Sequence, residues 1–268
     1  MHKIRPLRNA KLQEVPLKEN KLYAFSSLYS LSIYPIDAVY TFIPKNACST
    51  LRYSIAIANG FIDGYSNIEW IHSNNETFSS TQREIANANY TFIVLRCPFT
   101  IVASSFLDFI VSGDFTFKDI NEQRLSINFH EFLQIIKSQP REDRDQHWRN
   151  QSDFLNYETY DNYFSLESFS KAISTLMDKG LEVHDTREYI KHDISRLNRI
   201  DGDFSKIKEL DLKKIKDDGY APNYKSMFTK TEIELVEDIY SDDLSLYESH
   251  FGNKKLLISQ VKPHFSMY

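Results

Sequence analysis

Only two cysteines, Cys48 and Cys97, occur among 268 residues. They cannot build a disulfide framework or a zinc cluster, and both lie in apolar surroundings, which fits a reducing compartment. Metal ligation is not expected. No run approaches the roughly 18 apolar residues that span a bilayer. The opening stretch MHKIRPLRNAKLQEV carries basic residues but neither an apolar segment nor a small-residue cleavage site. A cytoplasmic location is the expectation if the chain is full length. Positive charge is also short: 32 Lys and Arg stand against 37 Asp and Glu, a net charge of −5, with an isoelectric point near 5.9. That balance argues against a general nucleic-acid or membrane-surface binder, which carries surplus cations to meet phosphates. Any anion site must be local. Glycine (7) and proline (8) are too sparse for an interdomain linker, and no repeat or low-complexity block appears. With 41% hydrophobic residues the chain can bury a sizeable core, as one domain over residues 1–268. The sequence leaves the oligomeric state open.

What is present is an alternation of strand-like and helix-like patterns. Ala38 to Ile43, Ile68 to Ile71 and Tyr90 to Leu95 are short continuous apolar runs, the signature of strands in a parallel sheet covered on both faces. Helical patterns separate them, at Ser49 to Asn59 and Ser80 to Ala88. The fold class read from this is α/β, a central parallel sheet flanked by helices. Further helices are expected from Pro98 to Val111, Asn128 to Ser138 and Ser168 to Lys179, and from Lys230 to His250 behind the capping box Thr229-x-x-Glu232. Residues 113–128 and 187–224 are expected to be irregular. Aromatic residues make up 14% of the chain, as ordinary core or as the lining of a cleft for a flat ligand.

Two stretches carry chemistry. In YTFIPKNACSTLRYSIAIANG, residues 40 to 60, a strand runs through a tight loop of small residues into a helix. That gathers backbone N–H groups and a helix N-terminus at one point, a geometry that attracts a phosphate or sulfate oxygen. Lys45 adds a mobile positive charge, and Ser49 and Thr50 add hydroxyls. It is not a Walker A loop, because the lysine precedes the small residues instead of following them. The second stretch, FIVLRCPFTIVASSFLDF at residues 92 to 109, ends a strand in Arg96 and brings Ser104 two helical turns later. Such an arginine can make a two-pronged contact with a terminal phosphate, and the serine can reach the same group.

With these residues in view, the chain resembles the sulfotransferases that use 3′-phosphoadenosine 5′-phosphosulfate (PAPS). PKNACSTLR is similar to their 5′-phosphosulfate loop, in the form P-K-x-[AG]-C-[ST]-x-W-[KR] of Golgi carbohydrate sulfotransferases, with Leu51 in place of Trp. LRCPFTIVASSF resembles their 3′-phosphate motif R-D-P-[FY]-x-R-x-x-S-x-[YF], with Cys97 for the usual Asp and Ile101 for a common second Arg. DQHWRNQSDFL, residues 145 to 155, is similar to the H-W-x-P-Q segment of the same group, with Asn150 for Pro.

The resemblance implies a P-loop-like sulfotransferase fold and transfer of a sulfuryl group from PAPS to an acceptor hydroxyl, expected on a glycan, by positioning and electrostatics without a metal. It places Lys45 at the leaving oxygen and Asn46, Ala47, Cys48, Ser49 and Thr50 around the phosphosulfate. Arg96 and Ser104 fall at the 3′-phosphate, and His147, Trp148, Arg149 and Gln151 at the acceptor. Arg52 is read as a solvated face charge. His72 is the expected general base, because it follows the second expected strand and parallel strands deliver their C-terminal ends to one rim. It lies 24 positions before Arg96; His147 is the alternative base. Two other readings share the strand-loop-helix: an atypical P-loop kinase, and a nucleotide-binding protein without turnover, to which Cys97 and Ile101 give footing.

Overall fold

In the computed structural model, which describes residues 4–10, 16–64, 69–74, 76–118, 121–186 and 197–257, the two longest apolar runs form the centre of a sheet. Strands β1 (Ser30–Ile33), β2 (Ala38–Thr41), β3 (Tyr90–Leu95) and β4 (Asn162–Ser165) hydrogen-bond in that order. β2, β3 and β4 are parallel, and β1 is an antiparallel edge strand, so the sheet is mixed. Every residue of β2 and β3 is buried, as unbroken apolar runs require of strands covered on both faces. Two more strands, β5 (Asn198–Ile200) and β6 (Tyr220–Pro222), form a separate parallel pair.

The helices in chain order are α1 (Lys21–Ser27), α2 (Cys48–Ala58), α3 (Trp70–Ser73), α4 (Gln82–Asn87), α5 (Pro98–Ser105), α6 (Phe129–Ser138), α7 (Phe169–Asp178), α8 (Glu209–Asp217), α9 (Lys230–Ile239) and α10 (Ser241–Phe251). Among the described residues no helix is long and apolar enough to cross a membrane. The chain divides into two compact units, each made of two segments: Met1–Arg96 with Gln151–Ile190, and Cys97–Asn150 with Lys191–Tyr268.

The first unit holds the four-stranded sheet. Its core joins Tyr40, Phe92 and Phe164 of the strands to Leu51 and Ile55 of α2 and to Ala172 and Leu176 of α7. The Tyr40 and Phe92 rings stack at 4.9 Å. Each such side chain contributes about 1.5–3 kcal/mol by leaving water, so α2 is pinned to the sheet along one stripe. The expected strand at Ile68 to Ile71 is not formed: Trp70–Ser73 is a single helical turn, and Ile68 lies outside the described residues. α4 starts with a reciprocal capping box between Thr81 and Glu84, which holds the Glu84 carboxyl below its usual range; burial opposes the shift, and the Thr81 bonds outweigh it.

The second unit is built on rings. Trp148 sits against Phe115, Phe117 and Phe132 at centroid distances of 4.9, 6.1 and 5.3 Å, and Phe106, Phe129 and Phe228 continue the cluster. Trp148, Phe132, Phe106, Phe129 and Phe228 are core, and Phe115 and Phe117 are half-buried at its edge. The expected long helix over Lys230 to His250 breaks at Tyr240, which leaves helical geometry and donates its hydroxyl to the Trp148 carbonyl at 2.6 Å. Within residues 187–224, expected to be irregular, residues 187–196 lie outside the described set, and α8, β5 and β6 are regular. The helix expected up to Val111 is α5 followed by a π-helical turn at Phe106–Ile110.

Candidate active site

In the first unit Thr41 of β2 is level with Ile93 of β3, so both strands release the chain at one rim, where open α/β sheets present ligand loops. From β2 the chain turns through residues 42–47 into α2. Lys45 (φ 70°) and Ala47 (φ 57°) both adopt left-handed backbone, a conformation that costs a non-glycine residue about 1–3 kcal/mol unless its surroundings enforce it. Asn46, between them, is fully buried. Its Nδ2 donates to the Val94 carbonyl at 2.9 Å and to Gln151 Oε1 at 2.7 Å, and its N–H donates to the Ile43 carbonyl.

α2 then begins at Cys48, behind Ala47 as N-cap. Ala47 offers no capping side chain, and no acidic residue occupies the first turn. The first amides of a helix have no carbonyl four residues back and carry the positive end of the dipole, so residues 47–50 form an anion-attracting helix start. Cys48, Ser49 and Thr50 are half-buried there. The Thr50 hydroxyl is bonded to Thr186 Oγ1 at 2.8 Å, so what it offers an anion depends on which of the two donates.

Arg96, the residue after β3, meets this loop. Its Nη1 donates to the Lys45 carbonyl at 3.0 Å. Its own N–H and carbonyl are both taken by the Gln151 side chain, at 2.9 and 2.8 Å. Gln151, expected at the acceptor, is 1% exposed and spends its amide on Asn46 and Arg96, so it tethers the rim instead.

Two expectations need physical correction. Arg52 is buried, not solvated: its Nη2 donates to the Ile71 carbonyl at 2.5 Å, and its guanidinium stands 5.3 Å from the Phe42 ring centre. Burial lowers its pKa from the ordinary arginine value, against smaller opposing effects of Cys48 and Tyr40. His72 is exposed on α3, not at a strand end. Its link to the loop runs from helix to helix, since Arg52 of α2 holds the carbonyl of the residue before it.

The remaining expected residues belong to the second unit. Ser104 is buried in α5 and donates to the Ile101 carbonyl at 3.0 Å. Trp148 is 1% exposed inside its ring cluster, so it cannot present a plate to a sugar. Arg149 is likewise buried, with Nη1 on the Glu142 carbonyl at 2.8 Å. His147 is the exception at 26% side-chain exposure. Its Nδ1 lies 2.7 Å from Asp145 Oδ1, its N–H bonds the same oxygen, and its ring rests 4.0 Å from that of Phe109. Burial pushes the Asp145 carboxyl up, but the His147 bonds outweigh it and hold the group below the usual range. Among the described residues no group of three or more His, Cys, Asp or Glu is placed to hold a metal.

A family model described as the sulfotransferase family matches residues 36–250. The chain belongs to the sulfotransferase family. No curated protein and no solved structure gives a significant match to it. Sulfotransferases transfer sulfuryl groups, and the mixed sheet with its flanking helices is consistent with their α/β fold. Against the family pattern, Cys97 and Ile101 are both buried, and the Cys97 sulfur accepts the Leu257 N–H at 3.5 Å. Asn150, in the usual Pro position, bonds Arg144 and the Ile239 carbonyl.

Three features of this sulfotransferase are not given by its motifs: the anchoring Asn46 side chain, the Gln151 amide turned onto protein, and Asp145. Only the last leaves a local signal, since a carboxylate two residues before a histidine can orient the imidazole.

Proposed function

We propose that the chain moves the sulfuryl group of PAPS to a hydroxyl of an acceptor, a carbohydrate. The observation that carries this reading is the 3.0 Å bond from Arg96 Nη1 to the Lys45 carbonyl beside the uncapped start of α2. It gathers a lysine, an arginine and a run of helix-start amides on one rim, which suits a compound bearing anionic groups at both ends. Lys45 and the backbone of residues 46–50 would hold the phosphosulfate, and Arg96 the 3′-phosphate. Ser104 is assigned to that phosphate by its motif alone. The donor supplies an activated sulfuryl group; the protein positions it and stabilises charge on the leaving oxygen, the role of Lys45. His72, exposed and fixed through Arg52, takes the acceptor proton. The carbohydrate acceptor rests on the resemblance of the three motifs to the glycan group.

The test is calorimetry with adenosine 3′,5′-bisphosphate, the desulfated nucleotide, then sulfate transfer from PAPS to a glycan panel by wild type and His72→Ala. We expect micromolar or tighter nucleotide binding in both proteins and turnover lower by roughly 100-fold in the variant. Absence of nucleotide binding removes the donor assignment. Full turnover in His72→Ala moves the proton-accepting role to another group.

A further inference from the structure

Gln151 occupies an unusual place in the first unit. Its Oε1 accepts from the Arg96 N–H at 2.9 Å while its Nε2 donates to the Arg96 carbonyl at 2.8 Å. One side-chain amide therefore satisfies both backbone groups of a residue, as a neighbouring strand would. Arg96 lies just beyond Leu95, the last residue of β3 paired with β4, so this contact prolongs the ordered strand by one position. The same Oε1 accepts from Asn46 Nδ2 at 2.7 Å, and the other Nδ2 contact is to Val94.

The pattern admits a single orientation. Reversing the Asn46 amide would set an oxygen against two acceptors, and reversing Gln151 would set an NH2 against the Arg96 N–H. Both side chains are buried, where a polar group that loses its partner is costly. The bond from Arg96 Nη1 to the Lys45 carbonyl closes the link. Residues 45–46 and 94–96 are thus joined directly by two bonds and a second time through the Gln151 amide.

We infer that Gln151 is a positioning residue: its side-chain amide holds the Lys45 loop and Arg96 at one separation, the one that matches the two ends of the donor nucleotide. The inference rests on the donor reading above. Gln151 touches no substrate itself, because its amide is committed to protein.

The experiment uses the full chain with Gln151→Met, which keeps the length and removes every hydrogen bond. Two readouts are taken: amide hydrogen exchange of segments 42–50 and 94–97 without ligand, and calorimetric affinity for adenosine 3′,5′-bisphosphate. We expect faster exchange in both segments, with 38–41 unchanged. Affinity should fall roughly 10- to 100-fold, the scale of a small displacement of a positioned group, and Arg96→Ala should cost less affinity in the Gln151→Met background than in wild type.

Unchanged exchange overturns the link. Faster exchange with unaltered affinity and an undiminished Arg96→Ala effect overturns the positioning role, leaving Gln151 merely structural. If wild type binds no nucleotide, the donor reading fails and the positioning role with it, while the exchange data still decide whether the link exists. Should Gln151→Met not fold, Asn46→Leu, which removes the donating Nδ2 without adding charge, is read in the same way.

Discussion

The stretches 44–52 and 145–151 carry comparable polar and cationic residues, and, Asn46 and Arg52 of the first aside, they place them differently. In the first, Lys45 and residues 47–50 stay half-buried around a helix start that no side chain caps. In the second, Trp148, Arg149, Asn150 and Gln151 are all buried and bonded or packed within the protein. The first keeps its cation and helix-start amides half-buried at a rim, and the second buries its polar groups in the architecture. The difference teaches that a cluster of Trp, Arg and Gln marks a ligand contact only when its donors face outward. Substitutions in the two stretches should accordingly fail in different ways.

The largest effect is expected at Trp148. Truncation to alanine should cost about 3–5 kcal/mol of stability, as for other large buried aromatics, measured by urea unfolding, while the folded fraction keeps its nucleotide affinity. Lost affinity at full stability would return Trp148 to a ligand-facing role and dissolve the contrast. Lys45→Ala should show the reverse phenotype. Sulfate transfer should drop roughly 100- to 1,000-fold, the range for removing one donor from a developing anion, with Tm close to that of wild type. A large fall in Tm instead would make Lys45 part of the architecture.

The smallest effect sharpens the comparison inside the second stretch. The folded Asp145 carboxyl titrates below its unfolded value because of His147. Its contribution is therefore present above the ordinary carboxylate pKa, about 3.9, and is lost as pH falls through the lower folded value. Asp145→Asn should be less stable than wild type near pH 6, by no more than about 1 kcal/mol for so accessible a pair. The gap should close toward pH 3. A gap independent of pH would show that the pair is held by packing instead.

Much of the first unit was legible in its residues. β2 and β3 announce themselves because unbroken apolar runs have no other way to be buried. β1 and β4 do not, since their serines and asparagine look like loop residues until their partners are known: Ser32 bonds Ser80, Asn156 bonds Ser30, and Tyr90 bonds Asn162. The IEWI run misled because three apolar residues around a glutamate suit a turn of helix with one buried side chain as well as a strand; Arg52 anchors that turn by the Ile71 carbonyl. α8 was invisible because Leu212 is its one fully buried apolar side chain, the other buried position being Glu209, which accepts from the Ile127 N–H. For the candidate site, the placing of Lys45 and Arg96 on one rim was legible because strand ends and helix starts have a period and a chemistry. The bonds of Gln151 were not, because a side-chain amide 105 positions from its asparagine partner leaves no local trace.

The two left-handed residues beside Asn46 carry a consequence for recognition. Glycine would permit that shape along with many others, whereas here a lysine and an alanine are driven into it by an anchored neighbour. A loop so constrained has few competing conformers to discard on binding the proposed donor, and the entropy of ordering it is settled while the protein folds. Positions 45 and 47 are correspondingly closed to valine, isoleucine and threonine, whose branched side chains tolerate positive φ least.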